Sequence, residues 1–330
     1  MKAAFIEAPG PPENLVYGDF ADPTLGPGQC LVRVEAAAVN PIDTYIRSGA
    51  VAMPVPWPFI PGCDFAGEVV ALGPGVTRVK VGDPVWGSNQ GLLGRQGSLA
   101  EWVAVDEGWV YRRPDGVSSE SAAALALVGI TAHLGLFSHA ALQSGETVFV
   151  RGGSGGVGSM VVQMARLTGA RVVTTAGSEE KAGLCRSYGA DSVILYREED
   201  LASKLAELVP GGVDLWWETL REPDFDLVVG ALARRGRMVL MAGRTARPPF
   251  PVGPFYVKGC SLHGFAMFNA TADEQAACAA DINNWLLTGG LRAPIDRILP
   301  LEQAAEAHRL QESSTLGATG DLKGKIVLRP

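Results

Sequence analysis

The sequence predicts an α/β protein of two domains, one β-rich and one built on a doubly wound parallel sheet. Three observations predict it. The chain has 330 residues, enough for about two domains at roughly 150 residues each. Its first ~115 residues hold short apolar runs broken by Gly and Pro, the punctuation of a small barrel or sandwich. From about residue 120 onward, apolar strands alternate with helical stretches across short loops, the pattern of a parallel sheet covered on both faces. The two parts differ in kind, so no internal repeat is expected.

In the first part, Leu31-Val32-Arg33-Val34-Glu35-Ala36 alternates partly and reads as a strand. Gly67 to Gly73 is a second, ending in a Gly-Pro-Gly turn, and Val79 to Trp86 a third, with Gly82-Asp83 as its turn signal. Pro54, Pro56, Pro58 and Pro61 predict an extended, stiff surface loop from Ala52 to Gly62. The uncharged stretch from Ser121 to Gly145 is long enough to span a bilayer. However, His133, Ser138, His139, Gln143 and Ser144 interrupt it, and Ala and Gly outnumber Leu and Ile. It is therefore read as a buried helix pair of a soluble protein.

Beyond it the period of the second part begins. Glu146 to Val150 is an apolar strand, followed by the run Gly152-Gly153-Ser154-Gly155-Gly156-Val157-Gly158 and a helix from Ser159 to Gly169. Strands are predicted at Arg171–Thr175, Ser192–Leu195, Val213–Glu218 and Arg237–Ala242. Helices are predicted at Ser178–Tyr188, Leu201–Leu208 and Phe225–Leu232. A helix from Asp273 to Leu287 and a closing strand from Lys325 to Leu328 complete the reading.

Composition narrows the function. Lys and Arg number 28 against 35 Asp and Glu, for a net charge of −7, and nonspecific nucleic-acid binding leans on a positive field instead. Hydrophobic residues at 47% with 19% charged exclude intrinsic disorder. The five cysteines, Cys30, Cys63, Cys185, Cys260 and Cys278, contain no CxxC pair, which argues against a zinc knuckle or a thioredoxin-type redox site. The opening Met1 to Ile6 runs into Glu7, too early for a signal-peptide core, so a cytoplasmic location is expected. His133, His139, His263 and His308 show neither metal nor triad spacing and are read as structural.

Gly153-x-Gly155-x-x-Gly158 matches the dinucleotide fingerprint, and it follows a strand and opens a helix, the context that the chemistry requires. This is the phosphate loop of a Rossmann domain. The first Gly permits the tight turn, the second admits the pyrophosphate to the backbone, and the third lets helix and strand pack closely. Backbone N–H groups around Gly156 and Val157 then carry the diphosphate charge. The acid expected about 20 residues on, to grip a ribose 2′-hydroxyl, is missing. Thr175-Ala176-Gly177-Ser178 stands there, with Ser178 as a hydrogen-bond donor and Lys181 one helical turn further. A missing carboxylate with an added cation suits a 2′-phosphate, so NADPH is expected over NADH. The competing reading makes Lys181 a solvated helix residue offset by Glu179 and Glu180.

These residues carry a resemblance to the medium-chain dehydrogenase/reductases, and within them to the zinc-free quinone oxidoreductase, or zeta-crystallin-like, branch. It rests on Asn40-Pro41-Ile42-Asp43-Thr44-Tyr45-Ile46-Arg47-Ser48-Gly49, Pro61-Gly62-Cys63-Asp64-Phe65-Ala66-Gly67 and Val81 to Val85. It continues through Gly155 to Gly158, Tyr196 to Asp200 and Gly324-Lys325-Ile326-Val327-Leu328. The resemblance implies a GroES-like catalytic domain of residues 1–122 and 272–330, a Rossmann NADP-binding domain of residues 123–271, and the cofactor in the cleft between them. It places Asn40 and Tyr45 beside the nicotinamide, Thr131 at its carboxamide, and Tyr196 near the adenosine. Gly243 and Phe265 fall at the ends of the last two Rossmann strands. Arg244 and Arg247 either add positive charge there or face solvent. The loop Ala50-Val51-Ala52-Met53 lacks the Tyr that several quinone reductases carry there, so the acceptor pocket should be walled differently.

Zinc-dependent members hold their metal with Cys, a His-Glu pair and a further Cys. The corresponding positions here are Asn40, Cys63-Asp64 and about Leu127, a set that cannot keep three protein ligands, and no metal is expected. Cys63 is then a small, semi-buried thiol, or with Asp64 or Asp43 a holder of adventitious metal. Without a Lewis acid the substrate must itself accept hydride readily. The expected activity is therefore NADPH-dependent reduction of quinones or related conjugated carbonyls, with Tyr45 or water giving the proton. One alternative is a 2-enoyl-thioester or alkenal reductase, and another is a noncatalytic NADPH-binding protein, structural or RNA-associated. A homodimer is expected through the strand near Ser261–Phe265, which would otherwise be an open edge.

Overall fold

The computed structural model describes residues 1–317 and 319–330. The chain divides into one unit of Met1–Ile130 with Thr271–Pro330 and a second of Thr131–Ala270.

In the first unit β1 (Lys2–Phe5) and β2 (Val16–Asp19) form an antiparallel pair. β3 (Gln29–Ala38) is the hub of the main sheet. Cys30, Val32 and Val34 face inward and are buried, while the alternate Leu31 and Arg33 are not, the period of a half-buried strand. After it come α1 (Pro41–Arg47), β4 (Asp64–Leu72), β5 (Pro84–Gly87), β6 (Trp102–Asp106), β7 (Val110–Arg112) and α2 (Ser119–His133). β3 pairs antiparallel with both β4 and β6, and register shifts between Leu31 and Val32 and between Val34 and Ala36 mark bulges that bend it.

Three expectations are corrected here. The strand expected from Val79 shortens to β5, because Asp83 accepts the Lys80 N–H at 3.0 Å and Gly82 takes φ +89, closing a turn. The Pro-rich loop is a surface loop only in part. Phe59 to Gly62 are buried, and Phe59 exchanges N–H···O bonds of 2.8 and 2.9 Å with Ile6. The expected helix pair from Ser121 is one helix, α2, running on through a π-helical turn at Leu134–His139. It is long and apolar enough to cross a membrane, yet 78% of its most apolar window is buried inside the protein.

The second unit starts with β8 (Thr147–Val150), α3 (Gly156–Leu167), β9 (Arg171–Ala176), α4 (Glu179–Ser187), β10 (Ser192–Leu195), α5 (Leu201–Leu208) and β11 (Val213–Glu218). It continues with α6 (Phe225–Ala231), β12 (Leu232–Leu240), α7 (Val252–Lys258) and β13 (Ser261–Gly264). The strands lie in the order β10-β9-β8-β11-β12-β13, all parallel. The direction of winding reverses at β8, so ligands are expected beyond its carboxyl end. Phe149, Val173, Ile194 and Trp216 from the strands pack against Leu205 of α5 and Val228 of α6.

The chain then returns to the first unit through α8 (Ala272–Leu287), β14 (Ile295–Pro300), α9 (Ala304–Thr315) and β15 (Lys325–Arg329). β15 runs parallel to β14 and antiparallel to β3, through Val327 opposite Ala38. α9 packs on α1, where the fully buried Arg47 is paired with Glu312 and also donates to the Gly10 carbonyl.

His308 lies buried in this part of the fold with neither ring nitrogen bonded to protein among the described residues. Burial, reinforced by the Arg47 charge, pushes its pKa from 6.5 down to about 3. The unfolded chain binds a proton below pH 6.5 and the folded chain does not, so this residue removes stability as pH falls from 6.5 towards 3. His308→Leu should therefore gain on the parent by about 1.4 kcal/mol per pH unit across that window. Urea unfolding at pH 7, 5 and 4 measures the gap, and a gap that stays constant with pH refutes the assignment.

Candidate active site: a phosphate loop and a buried polar cluster

β8 ends at Val150 and delivers the glycine run onto the start of α3. Three anchors fix the run. The Gly152 N–H donates to Thr175 Oγ1 at 2.9 Å, Arg151 N–H donates to the Trp217 carbonyl at 2.9 Å, and Thr219 Oγ1 donates to the Arg151 carbonyl at 2.7 Å. The loop is thus tied to the ends of β9 and β11. Gly152, Gly155, Gly156, Val157 and Gly158 line one pocket with Thr219, Met241 and Ala242. The glycines of this run are constrained by different things. A Cβ on Gly158 would stand 2.2 Å from the Gly152 carbonyl oxygen, so the protein itself demands glycine there. A Cβ on Gly155 would meet nothing nearer than 3.5 Å. Gly155 is also the N-cap of α3, and no side chain caps that terminus. An uncapped N-terminus whose entrance the chain leaves clear fits a diphosphate, held by the N–H groups of the first turn.

β9 leads into Gly177 and Ser178, the N-cap of α4, whose hydroxyl accepts the Lys181 N–H at 3.4 Å and still has its own proton to give. Glu179 is engaged by Arg186 at 2.5 Å, which lowers its pKa. The Tyr196 phenol oxygen lies over Gly177, within 2.7 Å of where a Cβ would be, and Arg197 sits 6.0 Å from the Tyr196 ring centroid. Thr131 is buried in α2, Gly243 turns with φ +83 after β12, and Phe265 stacks on His139 at 4.5 Å.

The second cluster lies in the first unit, where α1 begins. Asn40, Asp43, Cys63, Asp64 and Lys325 are all buried. Asn40 Nδ2 donates to Asp64 Oδ2 at 2.8 Å, while Asn40 Oδ1 accepts from the Lys325 ammonium. That ammonium also donates to the Val39 carbonyl at 2.8 Å and lies 3.7 Å from Asp64. Asp64 Oδ1 accepts from Ser88 Oγ at 2.7 Å and from the Leu127 N–H at 3.1 Å. Asp43 Oδ2 accepts the Asn40 N–H at 2.8 Å. Burial drives both Asp64 and Lys325 towards their neutral forms, and each one's charge holds the other back. Burial pushes the Asp43 carboxyl up to about 6 and raises the Cys63 thiol well above its ordinary range. Cys63 is thus fully rather than partly buried, and a protonated thiol is a poor metal ligand. The donor set here also includes an ammonium, which repels a divalent ion. Among the described residues, no three His, Cys, Asp or Glu side chains are placed to hold a metal.

Tyr45 follows on α1. It is half-buried, and no hydrogen-bond partner of its hydroxyl is found among the described residues. Sequence reasoning assigned no role to Thr175, Thr219, Met241 or Ala242, whose only signal was a place at the carboxyl ends of strands. It also gave Lys325 no role, although the residue lies in a quoted motif.

The contrast between the glycines is testable. Gly155→Ala should keep the parent's melting temperature within a degree or two yet weaken NADPH binding by about tenfold or more. Gly158→Ala should lower the melting temperature by several degrees. Thermal unfolding with and without NADPH decides it, and unchanged binding in Gly155→Ala sinks the assignment.

Residues 26–115 match the alcohol dehydrogenase GroES-like domain, and residues 156–282 match the zinc-binding dehydrogenase domain. The second range contains none of Asn40, Asp64 and Leu127. Quinone oxidoreductase of Sus scrofa is 34% identical over 316 residues, covering 95% of this chain and 94% of that one. A trans-enoyl reductase of Aspergillus terreus is 31% identical over 331 residues, covering 92% and 87%. The structure of Escherichia coli quinone oxidoreductase complexed with NADPH is similar at a TM-score of 0.87 and 27% identity, covering 100% of both chains. With relatives of this kind matched over nearly its whole length, the chain belongs to the zinc-independent quinone oxidoreductase family of the medium-chain dehydrogenase/reductases.

Proposed function

We propose that the protein is an NADPH-dependent oxidoreductase that reduces quinones and related conjugated carbonyls without a metal. The observation that carries the chemistry is the buried cluster of Asn40, Asp64 and Lys325. Its donors are committed to one another, so no Lewis acid is held there to polarise an unactivated carbonyl. A conjugated acceptor needs less help, because negative charge spreads onto its own oxygen.

On this reading residues 123–271 hold the nucleotide. Gly153, Gly155, Gly156, Val157 and Gly158 cradle the diphosphate, while Ser178 and Lys181 meet the 2′-phosphate. Tyr196 lies against the adenosine, with Thr131, Gly243 and Phe265 towards the nicotinamide end. When bound, NADPH supplies the hydride. Residues 1–122 with 272–330 supply the acceptor side, where the Tyr45 hydroxyl steadies the developing oxyanion and gives the proton, with water as the competing donor. Asn40, with both ends of its carboxamide engaged, acts by holding the start of α1. The free cysteines, four of the five buried, suit a reducing cytoplasm. The similarity to an enoyl reductase supports a second reading, reduction of 2-enoyl thioesters or alkenals.

An acceptor panel under NADPH separates the two. Turnover on naphthoquinone and phenanthrenequinone should exceed that on a crotonyl thioester, and the reverse order favours the second reading. Tyr45→Phe should lower kcat by about tenfold or more, and full activity removes its chemical role. Lys181→Ala should raise the KM for NADPH by about tenfold and leave that for NADH within a factor of two; equal changes count against the 2′-phosphate contact.

The same reading includes a homodimer. β13 ends its sheet, and Leu262 on it is exposed, as are Val252, Tyr256 and Val257 of α7. An uncovered edge with apolar neighbours invites a second copy. Light scattering should give twice the mass of the 34.6 kDa chain, and Leu262→Lys should shift it towards the single chain. A parent that is monomeric at micromolar concentration excludes this interface.

A further inference from the structure

Lys325 is a buried charge to which the proposed function gives no part in the reduction itself. It arrives from the last strand of the chain, 285 residues from Asn40 in sequence, and the two side chains meet in a region closed to solvent. A lysine is almost never buried unless paired, and taking its charge out of water costs several kcal/mol that must be offset locally. Here the offset is directional. The ammonium is spent on the Val39 carbonyl and on Asn40 Oδ1, with Asp64 at 3.7 Å as counter-charge.

The consequence falls on Asn40. At an N-cap, Asn ordinarily turns its side-chain oxygen onto the N–H groups of the first helical turn. Here that oxygen also accepts from Lys325, while Asn40 and Asp43 close a capping box across the first turn of α1. The amide plane of Asn40 is therefore fixed in one of its two orientations, oxygen to Lys325 and nitrogen to Asp64. The first turn of α1 is held from both ends of that amide, and by Asp43 through the Asn40 N–H. Tyr45 lies one turn further along the same seven-residue helix, which is too short to keep its place unaided.

We propose that Lys325 is a positioning residue for the reduction, setting the orientation of the Asn40 carboxamide and thereby the seat of α1 from which Tyr45 reaches the acceptor. The part concerning Tyr45 rests on the function proposed above; the part concerning α1 does not. A plain structural role, in which Lys325 only neutralises Asp64, makes a different prediction.

Two variants distinguish them. Lys325→Met leaves Asp64 without its counter-charge and should lower stability as well as activity. Lys325→Met with Asp64→Asn removes both members of the buried ion pair together, and the Asn40 amide is free to flip so that its oxygen accepts from the new amide nitrogen. The double variant should recover the parent's melting temperature. It should nevertheless keep a kcat lower by roughly tenfold to a hundredfold, with the KM for NADPH within about twofold of the parent. Amide hydrogen exchange at residues 43–47 should be faster than in the parent by about tenfold or more, read without any turnover. A double variant that regains the parent's kcat and exchange rates shows Lys325 to be a counter-ion alone and overturns the proposal. Faster exchange with kcat unchanged upholds the seating of α1 and overturns the role of Tyr45 instead.

Discussion

The interaction on which the rest of the first unit depends is the meeting of its two chain ends at β3. β15 pairs with β3 through Val327 and Leu328, and Lys325 at the head of β15 places its ammonium on Val39 and Asn40. Backbone pairing alone would tolerate a slip, because apolar residues follow one another in Ile326, Val327 and Leu328. A buried ammonium tolerates none, since any shift leaves a charge without partners in a region that water does not reach. The cluster thus fixes register, and the same bonds fix the start of α1. Scaffold and site are one construction here.

The second unit is governed by a different constraint, the reversal of winding at β8. β9 and β11 flank β8 on opposite sides, so the helices leaving β8 and β11 diverge, and a crevice opens at their carboxyl ends. Every fixed feature of the phosphate loop follows from that position. Thr175 at the end of β9 and Thr219 just past β11 hold the loop by hydroxyl bonds. The close approach of α3 to Gly152 dictates Gly158, whereas the vacancy above Gly155 is dictated by nothing in the protein. The clear space above Gly155 and the uncapped start of α3 fit a diphosphate, whose charge the N–H groups of the first turn would meet.

The electrostatics are correspondingly local. Net charge of −7 describes the whole surface, but the groups that decide chemistry are few and mostly hidden. Asp43, Cys63 and Asp64 are pushed towards their neutral forms by burial, while Lys325, Asn40, Ser88 and the Leu127 N–H favour the Asp64 carboxylate. The charged groups of this cluster answer one another inside the fold rather than a ligand. The acceptor must bring its own electron demand.

Period and punctuation in the sequence determined the two-part α/β architecture. The parallel strands from β8 to β11 are largely apolar runs bounded by Gly or polar turns and emerge within a residue of their expected ends, whereas β12 begins at Leu232, well before the expected Arg237. The glycine run between a strand and a helix was equally legible, because its geometry is local. Elements that depend on distant partners were not. The strand expected from Val79 lost its first half to a turn made by Asp83, and the proline-rich loop is drawn inward at Phe59 by Ile6. Asn40 and Tyr45 were found through a motif, but not that both ends of the Asn40 amide are spoken for. Lys325 is the clearest case. Its sequence neighbourhood is an ordinary closing strand, and only the pairing of β15 with β3 brings its charge across nearly the whole chain to Asn40. Local spacing fixes which bonds a segment can make with itself, whereas the partner of a buried charge is chosen by whichever distant segment the fold brings within its reach.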